Sequence, residues 1–267
     1  MDTFRLKNII ILILVMVNLC LLGSLGVRHI SRQNASREAV QEMVTLFQEE
    51  GVTLDASAIP DTTPPAGRTL IRSTDLDTAI ASYVLGSDLT FTDKGGGIYT
   101  YQHGQDFAQF RSNGGFDITC NASAEDPETF CSEFCRKFSC GDLISTLENG
   151  SGTVTVIQYY NQLPVINCSI AFQFSGGRLS SVSGTHIPDT YTAVSDEEPL
   201  SALSALSVFL EARRSSGVVM SSVSKVYLCY QLQSSTANPM QLTPAWCIVT
   251  DTVNYYVNCI TGDVSHS

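Results

Sequence analysis

The strongest constraint on this chain is a run near its start. From Asn8 to Val27 there is no charged residue, and Ile9 to Leu22 is almost purely aliphatic. About twenty such residues make a helix long enough to cross the hydrocarbon core of a bilayer. The run reads as one transmembrane helix over 9–27, with 1–8 as a cytoplasmic tail. Arg5 and Lys7 precede it and Arg28, Arg32 and Arg37 follow, so the excess of positive charge on the inner side does not by itself orient it. The cysteines orient it better. Eight of the nine (Cys120, Cys131, Cys135, Cys140, Cys168, Cys229, Cys247 and Cys259) lie after the span, an even number that suits an oxidising compartment. The expected location is therefore the cell membrane, crossed once, with the N-terminus inside and the bulk outside. Disulfides are expected there, with a connectivity that spacing leaves open.

A cleaved export signal is the rival reading. Ser24 and Gly26 are small residues ahead of a cut before Val27, although the uncharged stretch is long for the apolar part of a signal. Asn18 falls inside the apolar run, where an unpaired amide is costly. Leu22 and Gly26 follow it at four-residue steps, which puts all three on one side of a helix. Asn18, Leu22 and Gly26 are the candidate helix-pairing face, and Arg5 and Lys7 fix its inner end.

The remainder is long enough to bury real cores, and composition narrows its role. Charged residues are 15% and hydrophobic residues 43% of 267, which excludes a disordered chain. Lys+Arg 15 against Asp+Glu 26 gives a net charge of −11 with no basic stripe, the wrong electrostatics for nucleic acid. Arg37 to Glu50 reads as a short amphipathic helix stopped by Gly51, and Pro60 to Gly67 as a loop. Three units follow, each a helix and then short strands. Asp75–Leu85 precedes strands near residues 89–91, 98–101, 107–110 and 116–119. Asp126–Gly141 precedes strands near 154–160, 165–174 and 179–187. Leu200–Arg213 precedes strands near 223–232, 244–250 and 253–258. The order predicts an α+β fold, helices packed on twisted antiparallel β-sheets, as two extracytoplasmic lobes over 28–121 and 122–267.

Chemistry-bearing motifs are sparse. His29, His103, His186 and His266 show no metal or triad spacing. Cys131, Cys135 and Cys140 lack the C-x-x-C pairs of a zinc or redox site, so crosslinking is their expected use. Gly95-Gly96-Gly97 has no Lys-Ser/Thr to make a phosphate loop and reads as a hairpin turn. Asp196-Glu197-Glu198 precedes a helix, where negative charge favours the helix dipole. Asn-x-Ser sequons at Asn34, Asn121, Asn149 and Asn167 occur near chance frequency. No cofactor, metal, catalytic residue or small-molecule substrate is expected, and the chain is not read as an enzyme.

Two stretches carry a resemblance. Met1-Asp2-Thr3-Phe4-Arg5-Leu6-Lys7-Asn8-Ile9, running into an aliphatic span with Asn18, looks like the start of YycI-type regulatory proteins of low-GC Gram-positive bacteria. Val226 to Tyr230, Leu242-Thr243-Pro244-Ala245-Trp246, Tyr255-Tyr256-Val257-Asn258 and Thr261-Gly262-Asp263 resemble the closing module of that family and, more loosely, PepSY-like domains. The eight outer cysteines and the acidic balance depart from the family pattern. The resemblance implies a single-pass accessory protein that acts without catalysis. Together with a YycH-like protein, it would modulate a WalK-like (YycG) sensor histidine kinase of a two-component system serving cell-wall metabolism, through helix and ectodomain contacts. The alternative is a membrane-tethered extracellular binding module of PepSY-like type, or a protease inhibitor. Trp246 and Thr261-Gly262-Asp263 read, residue by residue, as a core aromatic and a tight turn.

Overall fold

The computed structural model describes residues 16, 35–124, 126–188, 190–193, 198–233 and 240–267. Apart from Met16, the expected membrane helix over 9–27 lies outside them, as do its candidate contacts Arg5, Lys7, Asn18, Leu22 and Gly26. Among the described residues no helix is long and apolar enough to cross a membrane.

The described chain is mixed α+β, with four helices packed on a fifteen-stranded sheet. After helix α1 (35–49) come β1 (Thr53–Leu54), β2 (Arg68–Leu70), α2 (Thr74–Leu85), β3 (Thr90–Gly95), β4 (Ile98–His103), β5 (Asp106–Phe110) and β6 (Gly115–Ser123). Helix α3 (Pro127–Phe138) leads into β7 (Leu143–Ser145), β8 (Gly152–Tyr160), β9 (Leu163–Ser175), β10 (Arg178–Thr185) and β11 (Tyr191–Ala193). Helix α4 (Ala202–Ser216) is followed by β12 (Ser222–Gln233), β13 (Gln241–Thr250), β14 (Asn254–Asn258) and β15 (Val264–His266).

Local sequence explains the boundaries. At α3, the Asp126 carboxylate accepts from the Glu128 amide at 3.2 Å, Pro127 supplies the fixed φ of a first turn, and Arg136 and Lys137 sit at the end where cations are favoured. Ser139, left-handed at φ 53°, ends it. Helix α4 begins at Ala202, capped by Ser201, later than the expected start at Leu200. Leu200 is otherwise engaged: its amide donates to the Cys259 carbonyl, and its carbonyl accepts from Trp246 Nε1, both as part of a strap over the sheet. Glu198 therefore lies outside the first turn. Gly95-Gly96-Gly97, all at positive φ, makes the β3–β4 hairpin, and Asn161-Gln162 at φ 47° and 66° makes a two-residue turn between β8 and β9.

Two ladders share the sheet. In the first, α2 and α3 lie on β3–β10, and the core runs from Ile80 through Phe110, Phe134 and Phe172 to Val182. Residue 122 falls inside β6, and this core continues beyond it. In the second, α1 and α4 lie on β12–β14, with Phe47, Phe209, Trp246 and Ile248 fully buried or nearly so. Strand β9 connects the two. Its early residues Val165 and Ile166 pair in parallel with Tyr230 and Gln231 of β12, while Ile170 to Ser175 pair with β10. Between them Asn167 adopts φ 55°. Its amide nitrogen donates to the Leu232 carbonyl at 3.0 Å and its oxygen accepts from the Leu232 amide at 3.1 Å, which mimics one more backbone pair. The sequon at Asn167 is thus occupied by a structural contact. A third core, including Leu70, Tyr160, Val165, Tyr230 and Leu242, fills the junction.

Candidate functional site

The eight cysteines of the described part are all free thiols, which corrects the expectation of disulfides. Most are spent on packing. Cys131 and Cys135 face the first core from α3, one turn apart, and burial pushes Cys131 up to about 12. Cys229 and Cys247 line the opposite face of the second ladder from its helices, beside Ala245 and Tyr256. Such thiols stay protonated at neutral pH and behave as small apolar side chains. Cys135 and Cys140 are brought together by the turn that ends α3, where the Cys140 amide donates to the Cys135 carbonyl at 3.0 Å. The contact with the Cys140 thiol lowers Cys135, and the same contact together with burial raises Cys140. Among the described residues no group of three or more His, Cys, Asp or Glu is placed to hold a metal ion.

The three described histidines make separate contacts. His103 Nδ1 meets the Asp88 carbonyl at 3.1 Å, buried His186 meets the Phe138 carbonyl at 3.0 Å, and His266 packs edge-on to Tyr255. Trp246 is wholly buried, with its indole N–H satisfied by Leu200. Thr261-Gly262-Asp263 forms a tight turn in which the Gly262 amide donates to the Asn258 carbonyl. The motifs behind the family resemblance at the C-terminus are therefore framework.

The unusual chemistry lies at the junction of the ladders, around Arg68. Strand β2 pairs with β13 and β11, setting Arg68 opposite Leu242 and Ala193. Because residues opposed across a ladder share a face, Arg68 stands on the side that carries Leu242, Leu232 and Tyr230. Its guanidinium stacks on Tyr191, with 5.0 Å to the ring centroid. Tyr160 packs edge-on against both Tyr191 and Tyr230, at 5.7 and 5.5 Å between centroids. Arg68 Nε and the hydroxyls of Tyr160 and Tyr230 are buried without a hydrogen-bond partner among the described residues. The Tyr191 hydroxyl raises that of Tyr160 through both its charge and a hydrogen-bonding contact, one longer than an ordinary hydrogen bond.

Burial dominates the acidity of these phenols. It pushes Tyr160 up to about 12, with Tyr191 adding to the effect, and raises Tyr230 as well, while Arg68 opposes both shifts. Both remain neutral hydrogen-bond donors across the physiological range. A cation flanked by such donors is an acceptor site for negative charge. Arg68 also borders a recess of about 130 Å³ shared with Gly67, Leu242 and Asn258.

Other openings are more nearly satisfied. A groove of about 330 Å³ between α2 and β3–β4 places Thr78 and Tyr101 on its wall, but their hydroxyls bond each other at 2.9 Å. A recess beside α4 is bordered by Arg213, which is paired with Glu50 at 3.4 Å. Sequence reasoning missed the Arg68 site because its members come from β2, β8, β11 and β12, and each tyrosine reads singly as a strand former.

No protein-family model matches the chain, and no curated protein matches it. Among solved structures it is similar to an uncharacterized protein from Eubacterium rectale ATCC 33656, at 12% identity and a TM-score of 0.42, over 77% of this chain and 81% of that one. It is also similar to the Bacillus megaterium YpeB C-terminal domain, at 10% identity and a TM-score of 0.34, over 74% of this chain and 98% of that domain. Likenesses this loose carry no argument about the function of this chain.

Proposed function

We propose that the chain is a membrane-tethered, non-catalytic binding module whose outer α+β part receives a partner at the junction of its two ladders. The observation that carries this reading is Arg68 Nε beside the buried hydroxyls of Tyr160 and Tyr230, all three without a hydrogen-bond partner among the described residues. Buried polar groups are ordinarily satisfied, so such a set marks a place completed by something else. The phenols and most of the thiols are held protonated by burial, which suits recognition better than proton or group transfer. The tether rests on the uncharged run from Asn8 to Val27.

The finer reading names the partner: a WalK-like sensor histidine kinase, engaged together with a YycH-like protein at the cell membrane. It rests on the YycI-type resemblance, with Asn18, Leu22 and Gly26 as the helix face and Arg5 and Lys7 at its inner end. A membrane helix that binds one kinase conformation better than another shifts the equilibrium by its differential affinity. Purification of the full chain with the kinase in detergent, alongside kinase autophosphorylation in vesicles, tests both levels. Co-purification and altered autophosphorylation, both lost when 9–27 is exchanged for an unrelated apolar span, are the expected results. Unchanged kinase output with the native chain overturns the finer reading. Recovery of a mature soluble form lacking the apolar run overturns the tether.

A further inference from the structure

We propose that the Arg68 junction binds a single carboxylate group carried on a short apolar stem. The proposal rests on the reading of this chain as a binding module and names what that module takes. Three observations point to the ligand class. First, the other arginines whose side-chain contacts are described each meet an acidic or amide side chain: Arg72 with Asp77, Arg111 with Asp117, Arg136 with Glu133, Arg178 with Asn121, and Arg213 and Arg214 with Glu50, although Arg213 Nε also lacks a partner. Arg68 has an aromatic neighbour but no carboxylate among the described residues, although the chain carries a large excess of acids.

Second, the donors converge in number and kind. A guanidinium offers a planar fork that matches the two oxygens of a carboxylate, and the Tyr160 and Tyr230 hydroxyls remain available to donate to its other lone pairs. Tyr230 is fully buried, so its hydroxyl has no bulk water to bond in place of a ligand. Third, the surroundings limit the charge. Leu70, Val165, Leu232 and Leu242 pack in the same core as Tyr160 and Tyr230. In such a setting one positive charge compensates a monoanion and leaves a dianion such as sulfate with excess charge removed from water. The recess of about 130 Å³ beside Arg68 gives room for a stem of a few carbons, with Leu242 and Ile260 as its apolar lining among the polar Gln241, Thr243 and Asn258, and none of the tyrosines borders it. The C-terminus or an acidic side chain of a partner protein and a free small acid present the same group.

The test uses the full chain in detergent micelles, titrated with isovalerate and benzoate at constant ionic strength, with sulfate, inorganic phosphate and chloride as comparison anions. Saturable calorimetric binding and a raised melting temperature are expected with the two carboxylates alone. Arg68→Gln should abolish both effects, and Arg68→Lys should weaken binding because an ammonium lacks the fork. Tyr230→Phe keeps the ring and its packing. It should weaken carboxylate binding about tenfold, the loss of one hydrogen bond to a charged group, while leaving the ligand-free protein at least as stable. If Arg68→Gln does not fold, the tyrosine variant still decides.

Equal or stronger binding of sulfate, carboxylate binding that Tyr230→Phe leaves untouched, or a recess that responds to no carboxylate overturns the proposal. A short peptide ending in Val is compared with its C-terminal amide to separate a chain terminus from a free acid. Binding of the acid form and not the amide assigns the terminus, and binding of isovalerate alone assigns the small acid. Kinase co-purification is read in parallel. Capture of the kinase without carboxylate binding overturns this site and leaves the binding-module reading standing. Carboxylate binding without capture retains the site and removes the kinase.

Discussion

Arg72 and Arg68 lie four residues apart and begin from the same position, each stacked on a tyrosine ring: Tyr99 at 4.7 Å for Arg72 and Tyr191 at 5.0 Å for Arg68. Their surroundings then diverge. Arg72, at the start of the first ladder, sends Nε and Nη2 to the Asp77 carboxylate at 3.1 and 2.5 Å and Nη1 to the Gly97 carbonyl at 3.0 Å. It clasps α2 to the turn of the β3–β4 hairpin, and its hydrogen-bonding capacity is used within the fold. Arg68, at the junction, has the stacking without a carboxylate among the described residues. The contrast separates a guanidinium whose role is closure from one left open, and it shows that composition alone does not distinguish them.

Point substitutions probe the difference between the two arginines. The largest effect belongs to the clasp. Asp77→Ala strands a mostly buried Arg72 and should cost about 2–3 kcal/mol in urea unfolding, below the figure for a fully buried pair because both side chains keep some exposure. A cost under about 0.5 kcal/mol, the size of an ordinary surface substitution, would make the two arginines equivalent. Next is the link between ladders. Asn167→Ala loses two hydrogen bonds to Leu232 and places a Cβ residue without a polar side chain at positive φ, for a loss of about 1–2 kcal/mol. Asn167→Gly, which accepts that φ, should lose less.

At the junction the sign reverses. Arg68→Met removes a cation without an acidic partner among the described residues and keeps an apolar stem, so stability should hold or rise by up to about 1 kcal/mol. A loss as large as that of Asp77→Ala would show Arg68 to be a structural group. The smallest effect is a pH slope. Burial holds the Asp77 carboxyl above its ordinary range, outweighing the hydrogen bond and charge of Arg72. The stability that its protonation adds is therefore complete below the unfolded pKa and is lost as pH rises through the raised folded value, leaving the ion pair that Asp77→Ala removes. Asp77→Asn should flatten that part of the stability profile, whereas Arg68→Met should leave it unchanged.

Much of the framework was legible in the sequence. Asp126-Pro127, the three glycines at 95–97 and the stop at Gly51 each act through local backbone preference, and the helices and longer strands fall close to where periodicity puts them. The short strands β2, β7, β11 and β15 were not legible, because two or three residues establish no period and take their conformation from the strand beside them. The cysteines misled for a related reason. Their even count fits an oxidising compartment, yet the folded chain uses most of them as small apolar packing groups. The Arg68 site was invisible because its members meet only once β2 has been inserted between β11 and β13. An Arg between a Pro/Gly loop and the apolar Leu70-Ile71 was the one local signal available, and the tyrosines it meets lie far from it in the sequence.

Strand β9 has a mechanical consequence. Among the described residues the hydrogen bonding between the two ladders is two backbone rungs, Val165–Tyr230 and Ile166–Gln231, and one amide, that of Asn167, beside the apolar packing of the third core, whereas β12 and β13 hold each other along nearly their whole length. A pull that draws the halves apart therefore concentrates on the seam. Under force the body should part there before either helix-covered half gives way, like a hinged case whose pin is weaker than its walls.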